Sequence, residues 1–312
     1  MKRCSIIALS MIGAGIILSV VSGINRGWRP ISLGRVWNWI NLPGVWEWDN
    51  YWDDGDDYWD HWGDGDIGLN GVDNIPDTLD AITGERKEYS LGSGIQNLEV
   101  EICGYYMEIC PSQDGEIHVE TVNESDLQCY VQNKTLYLKS THHREHHTTM
   151  RGIRLYVPEG TVFSKVDMDM DAGELQLGAL AADKAELEIG AGELLGKGAQ
   201  IGKLELSLGA GSAELKEMQI GELNAEVGMG SLIFDGNIQN KGDVECGMGS
   251  VGMELAGKEK DFNYEIESAM GSVIIGTREY SGLASGTKIN NQAAKKIEID
   301  CAMGSIEIYF QE

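Results

Sequence analysis

Twelve carboxylates in the second half of the chain stand at two fixed distances from a recurring glycine. The glycines are Gly173, Gly192, Gly211, Gly230, Gly249, Gly271 and Gly304. Six residues before them stand Asp167, Glu186, Glu205, Asn224, Asp243, Glu265 and Glu298. Four residues before them stand Asp169, Glu188, Ser207, Glu226, Glu245, Glu267 and Asp300. Carboxylates at this density can coordinate hard cations such as calcium, hold protons through raised pKa values or attract cationic peptides. They are repeated along the chain, unlike the isolated acid/base pair of a catalytic pocket. The competing reading is a solvated face that keeps the protein soluble.

A second cluster is "THHREHH", which holds His142, His143, His146 and His147. It falls between two alternating runs, "TLYLKS" and "IRLYVP", and is expected in a loop. The order is not the H-E-x-x-H of a zinc helix. His-rich tracts bind zinc or copper weakly where nothing orients the rings, and a polar hairpin tip is the favoured reading. No Ser/His/Asp set, catalytic cysteine context or cofactor motif occurs, and no enzyme is expected.

The elements that must position the carboxylates follow from the spacing. The glycines are separated by 19, 19, 19, 19, 22 and 33 residues. A period near 20 is the signature of a solenoid. Seven, five, three and one residues before each glycine the positions are nearly all apolar, and so are the positions two and four after it. Period two means strands with an inward face. The change of parity at the glycine requires a bend, for which glycine is suited by its conformational freedom. The glycines are therefore expected to be structural corners, with the adjacent Ala or Met packed inside. Cys246 and Cys301 share an inward register with Ile, Leu and Val and read as small buried apolar side chains. Cys103, Cys110 and Cys129 lie in earlier strands, where one disulfide stays open. Stacked coils would align the twelve carboxylates into two parallel rows on one face. The 33-residue interval is expected to hold an inserted loop leaving the stack.

The first part of the chain is different in composition. Residues 4–24 carry no charge, and a helix of that length spans about 30 Å, a bilayer core. A retained anchor is favoured over a cleaved signal, with the amino terminus inside and the bulk of the chain outside. All eight Trp lie between Trp28 and Trp62, and nine acids without a base fill Glu47 to Asp66. Their spacing does not match a calcium loop, and an extended tether is expected. From residue 88 to 160, alternating runs such as "NLEVEICG" predict a sheet that caps or begins the array. The net charge of −26 excludes nucleic acid as a partner.

The strand "IRLYVPEG" at 153–160, followed by "KVDMDMDAGELQLGAL" at 165–180, resembles the bacterial β-strand-repeat family called "putative adhesin", a domain of unknown function. The resemblance covers roughly residues 88–312. It implies a β-helical cell-envelope protein, with some relatives in antimicrobial-peptide or envelope-stress responses, and it brings no catalytic motif to carry over.

The expected fold is all-β. A parallel β-solenoid (β-helix) with coils of about 19 residues is preceded by a small β-sheet region and an N-terminal transmembrane helix. The expected divisions are residues 1–25 as anchor, 26–87 as Trp/Asp-rich tether, 88–160 as N-terminal β region and 161–312 as solenoid. The expected function is non-enzymatic: a single-pass protein of the bacterial cell membrane, an adhesin or a sensor of cationic envelope stress through its acidic face. The partners would be the membrane and cationic peptides or envelope components. No cofactor is expected, calcium being the one candidate ion. The alternatives are a rigid spacer without a ligand and a metal-dependent enzyme using the His-rich loop.

Overall fold

Alternating apolar residues put one side of each strand against a core, and 19-residue spacing lets each strand lie on its neighbour in register. The computed structural model describes residues 78–124, 126–140, 150–281 and 285–311. The expected anchor, most of the tether and the His-rich loop at 141–149 lie outside the described residues. No helix among the described residues is long and apolar enough to cross a membrane. The last part of the expected tether is folded: a 3-10 turn at Leu79–Ala81 and strand β1 (Arg86–Gly92) belong to the β structure.

The middle of the molecule is built from β8 (Phe163–Leu177), β9 (Ala181–Lys197), β10 (Gln200–Leu208), β11 (Ser212–Val227), β12 (Ser231–Cys246) and β13 (Ser250–Ala256). All of their mutual pairings are parallel. Residues before the glycines form one ladder, in which Val166, Ala185, Leu204, Leu223 and Gly242 align in register. Residues after them form a second, in which Leu175, Leu194, Ala213, Leu232 and Val251 align. The inward side chains of both ladders meet in one continuous hydrophobic core.

Both ends depart from sequence order. At the carboxy-terminal end the chain runs through β14 (Phe262–Ser268), β15 (Ser272–Ile275), β16 (Arg278–Ser281), β17 (Ser285–Ile289), β18 (Lys295–Cys301) and β19 (Ser305–Gln311). The last coil, β18–β19, lies between the β12–β13 coil and the β14–β15 coil. The expected inserted loop includes β16 and β17, which pair antiparallel with β15 and β14 on the outside. At the other end β2 (Asn97–Ile102) and β3 (Tyr105–Ser112) stack in parallel on β8. Beyond them lie β6 (Thr135–Ser140) and β7 (Arg151–Pro158), also parallel. Here too antiparallel strands close the edge: β5 (Leu127–Gln132) on β6, and β4 (Ile117–Val122) on β7, with β1 on β4. The N-terminal region is thus two further coils plus a cap, in the same sheet as the repeats.

Two expectations about the corners are corrected. Among the seven corner glycines only Gly173 has a positive φ, 134°. At the others close stacking, not backbone conformation, selects glycine. A Cβ on Gly192, Gly211, Gly230, Gly249 or Gly304 would collide with the carbonyl oxygen of the corner glycine beneath. Beneath Gly271 and Gly304 the thiols of Cys301 and Cys246 occupy the space that a Cβ would need. The residue before the glycine was expected inside, yet Met229, Met248, Met270 and Met303 are 60%, 49%, 62% and 41% exposed. Inward alternation ends three residues before the glycine, so the residue just before it sits at the turn's outer tip.

The amino-terminal end contains buried charge. Arg151 and Asp126 form an ion pair at 2.7 Å with side chains 5% and 3% exposed. Asp126 also accepts hydrogen bonds from Tyr105 (2.6 Å) and Ser140 (2.9 Å), and Arg151 donates to the Cys103 carbonyl at 2.6 Å. The guanidinium stacks over the Tyr105 ring, 4.1 Å from its centre, a favourable cation–π position.

Candidate functional site

In-register stacking brings the expected carboxylates together as two rows. The first row, six residues before the glycine, runs in space Asp167, Glu186, Glu205, Asn224, Asp243, Glu298, Glu265. The second, four before it, runs Asp169, Glu188, Ser207, Glu226, Glu245, Asp300, Glu267. Both rows extend one coil further than the repeat spacing foretold, since Glu99 and Glu101 on β2 align with Asp167 and Asp169.

The rows are not equivalent, because a third row flanks the first. Lys165, Lys184, Lys203, Lys241 and Lys296 stand eight residues before the glycine and reach across to it. Lys165 meets Asp167 at 2.6 Å; Lys184 meets Glu205 at 2.9 Å and Glu186 at 3.8 Å; Lys203 meets Glu205 at 2.7 Å. Lys241 bridges Glu298 (2.7 Å) and Asp243 (3.3 Å). Where β14 has Asn263 in the lysine position, Glu265 is met by Lys288 (2.6 Å) and Lys296 (2.9 Å) from its neighbours. Lys139 of β6 takes the same part toward Glu99 of β2 at 2.6 Å, and also reaches Glu101 at 3.4 Å. One coil has Glu222 in place of the lysine, and there the first-row residue is the neutral Asn224. Along the first row a carboxylate therefore stands only where a lysine reaches it.

The protonation energetics agree with this division. Lys288 and Lys296 hold the Glu265 carboxyl down to about 2. Burial works against ionisation of Glu205 and Glu298, but the lysines outweigh it and both lie below the ordinary value. Asp243 is the exception: its deeper burial raises it despite Lys241. In the second row, burial and then the charges of Glu188, Asp171, Glu101 and Asp167 push Asp169 up to about 6. Asp169 is exposed at its outer edge, so repulsion between like charges is the sturdier cause. Glu226 is raised by burial and by Asp243, Glu188 and Glu205. Among the described residues, the side chains of Asp169 and Glu226 form no ion pair or hydrogen bond. Two unit charges about one strand spacing apart repel by ~1 kcal/mol in water and by more beside a low-dielectric core.

The remaining candidates fare differently. His142, His143, His146 and His147 lie outside the described residues, as does the aspartate-rich tether considered for calcium. Among the described residues no three or more His, Cys, Asp or Glu side chains are grouped to hold a metal ion. Cys103, Cys110, Cys129, Cys246 and Cys301 are free thiols. Cys246 and Cys301 are buried as expected and face each other on adjacent strands. The lysine row was missed although its signal was present: it repeats at the same interval as the acids.

These features define an all-β protein of stacked, mainly parallel coils with a charged ladder along one side. The chain belongs to the Toastrack family: the family model described as Toastrack DUF4097 matches residues 112–309. Among solved structures, a "putative adhesin" from Bacteroides fragilis is similar at 14% identity and a TM-score of 0.44, over 72% of this chain and 96% of that one. A "putative adhesin" from Parabacteroides merdae matches at 13% identity and 0.36, over 72% and 95%. A "putative lipid binding protein" from Parabacteroides distasonis matches at 14% and 0.37, over 72% and 93%. No curated protein matches.

Proposed function

We propose that this chain is a non-enzymatic, adhesin-like interaction protein of the bacterial cell envelope, which docks cationic peptides along its second carboxylate row. Residues 4–24 hold it in the membrane, and the coils stand outside. The observation that carries the reading is the inequality of the two rows. Lysines already neutralise the first, whereas Asp169 and Glu226 in the second are crowded by like charge, and a bound cation relieves that repulsion. Equivalent side chains repeat at strand spacing, about 4.8 Å, which suits an extended partner with regularly spaced positive charges.

The test is calorimetric titration of the full chain with a short oligolysine at low and physiological salt. Asp169→Asn with Glu226→Gln should weaken binding several-fold, and the lysine-paired changes Glu186→Gln with Glu205→Gln should have little effect. No binding by the unaltered chain, or equal effects of both pairs, would leave the rigid spacer as the better reading. Membrane attachment is checked separately, by fractionating cells that express the chain with and without residues 1–25.

A further inference from the structure

Four of the five exposed methionines among the described residues form a line; the fifth, Met150, lies elsewhere. Met229, Met248, Met303 and Met270 lie at the tips of four consecutive coils in that spatial order. The backbone amides of Met248, Met303 and Met270 donate to the carbonyls of Gly228, Gly247 and Ala302 on the adjacent tip, at 2.8, 2.8 and 2.7 Å. The tip itself does not require methionine, since the same position in the preceding coils is Ala172, Ala191 and Ala210. Nor does core packing, because the four side chains point outward. Each is flanked by Gly or Ala before and Gly after, so no bulky neighbour covers the thioethers. Exposing four long apolar side chains in a row is unfavourable unless something occupies them.

We propose that this methionine ridge binds soft monovalent cations, Cu(I) or Ag(I), through its thioether sulfurs. Thioethers are neutral, soft donors that select Cu(I) over hard ions. The ladder sets neighbouring tips about 4.8 Å apart. Two metal–sulfur bonds of about 2.3 Å place their sulfurs up to ~4.6 Å apart, so adjacent rungs can share one ion with little movement. The acids Glu226, Glu245, Asp300 and Glu267 stand three residues before the methionines on the same four coils. They supply the negative field that draws a cation in, without competing as soft donors. The ridge shares these carboxylates' field with the oligolysine reading but has different donors, and the leucine variant below changes the thioethers alone.

The test uses the full chain with its ε-methyls labelled, titrated with Ag(I), which needs no reductant. The four tip methyls should shift together, while the buried Met107, Met168, Met170, Met218 and Met253 stay in place. In competition with a chromophoric Cu(I) chelator under ascorbate, the unaltered chain should hold at least one more Cu(I) than Met229→Leu/Met248→Leu/Met270→Leu/Met303→Leu. Leucine keeps the apolar area and removes only sulfur, and every cysteine and histidine remains in both proteins, so the difference reports thioethers. Unshifted tip methyls, or equal Cu(I) retention, overturn the proposal.

Discussion

In the coils from β8 to β13 the interior is apolar, and lysines meet carboxylates on the outer face. At the amino-terminal end the arrangement is inverted: Arg151 and Asp126 are paired inside, with Tyr105 and Ser140 donating to Asp126 and the Cys103 carbonyl accepting from Arg151, whose Nε alone is left without a partner. The middle coils are interchangeable units, each held by the same contacts above and below. The end cannot use that repetition, because it has a neighbour on one side only. A buried charge pair is a weak source of net stability but is costly to break. It suits a place where β2, β3, β6 and β7 must meet in a single register.

The largest expected effect breaks that end. Asp126→Asn leaves Arg151 buried without its counter-charge and should destabilise by about 3–5 kcal/mol, read from urea melts. Burial opposes ionisation of Asp126, but bonds from Tyr105, Ser140 and Arg151 prevail and hold its carboxyl below the ordinary value. Its contribution is therefore present above the unfolded pKa of about 4 and lost as pH falls through the folded one. The variant should lose that part of the acid sensitivity.

Next comes a corner in the middle. Gly230→Ala drives a Cβ into the Gly211 carbonyl and should cost about 1–3 kcal/mol by overpacking. Gly252→Ala, whose Cβ would meet nothing within 4 Å, should stay within about 0.5 kcal/mol. Equal losses at both would mean that glycine serves the middle coils by backbone freedom after all.

The smallest effect is on the outer face. The folded pKa of Asp169, about 6, lies above the unfolded value of about 3.9. Its favourable contribution is full below pH ~4 and fades as pH rises through ~6. Asp169→Asn should therefore raise the melting temperature slightly at pH 7 and not at pH 4. Because the group is exposed, the gain should be about 0.5 kcal/mol or less.

The middle coils were legible because one period fixes both burial and stacking. The inward Leu187, Leu206 and Val244 and the outward Glu186 and Glu205 fall where the nineteen-residue spacing puts them. The Met tips were misread because period two was extended through the bend, whereas the turn begins two residues before the glycine. The order of the last coils was hidden for another reason. β14 and β18 carry the same alternating pattern, so either could stack on β12; in the structure β17 and β16 take the outer edges of β14 and β15, which leaves β18 between β12 and β14. Glu99 and Glu101 joined the carboxylate rows across a long stretch of chain in which no fixed interval points to them. The buried pair of Arg151 and Asp126 has no periodic signal at all.

The interleaved ends have a consequence for how such a molecule can grow. Each end folds back through antiparallel strands before its last coil is laid down, so among the described residues β16, β17 and β5 close their edges running opposite to the coils, while β1, antiparallel to β4, runs with them. A second copy seeking to continue the parallel stack meets opposed strands at β5, β16 and β17, and a strand of its own direction only at the short β1. Whole nineteen-residue units could be gained or lost between β8 and β12 without disturbing either capped end, so length is free to drift while most of each edge stays closed to further strands.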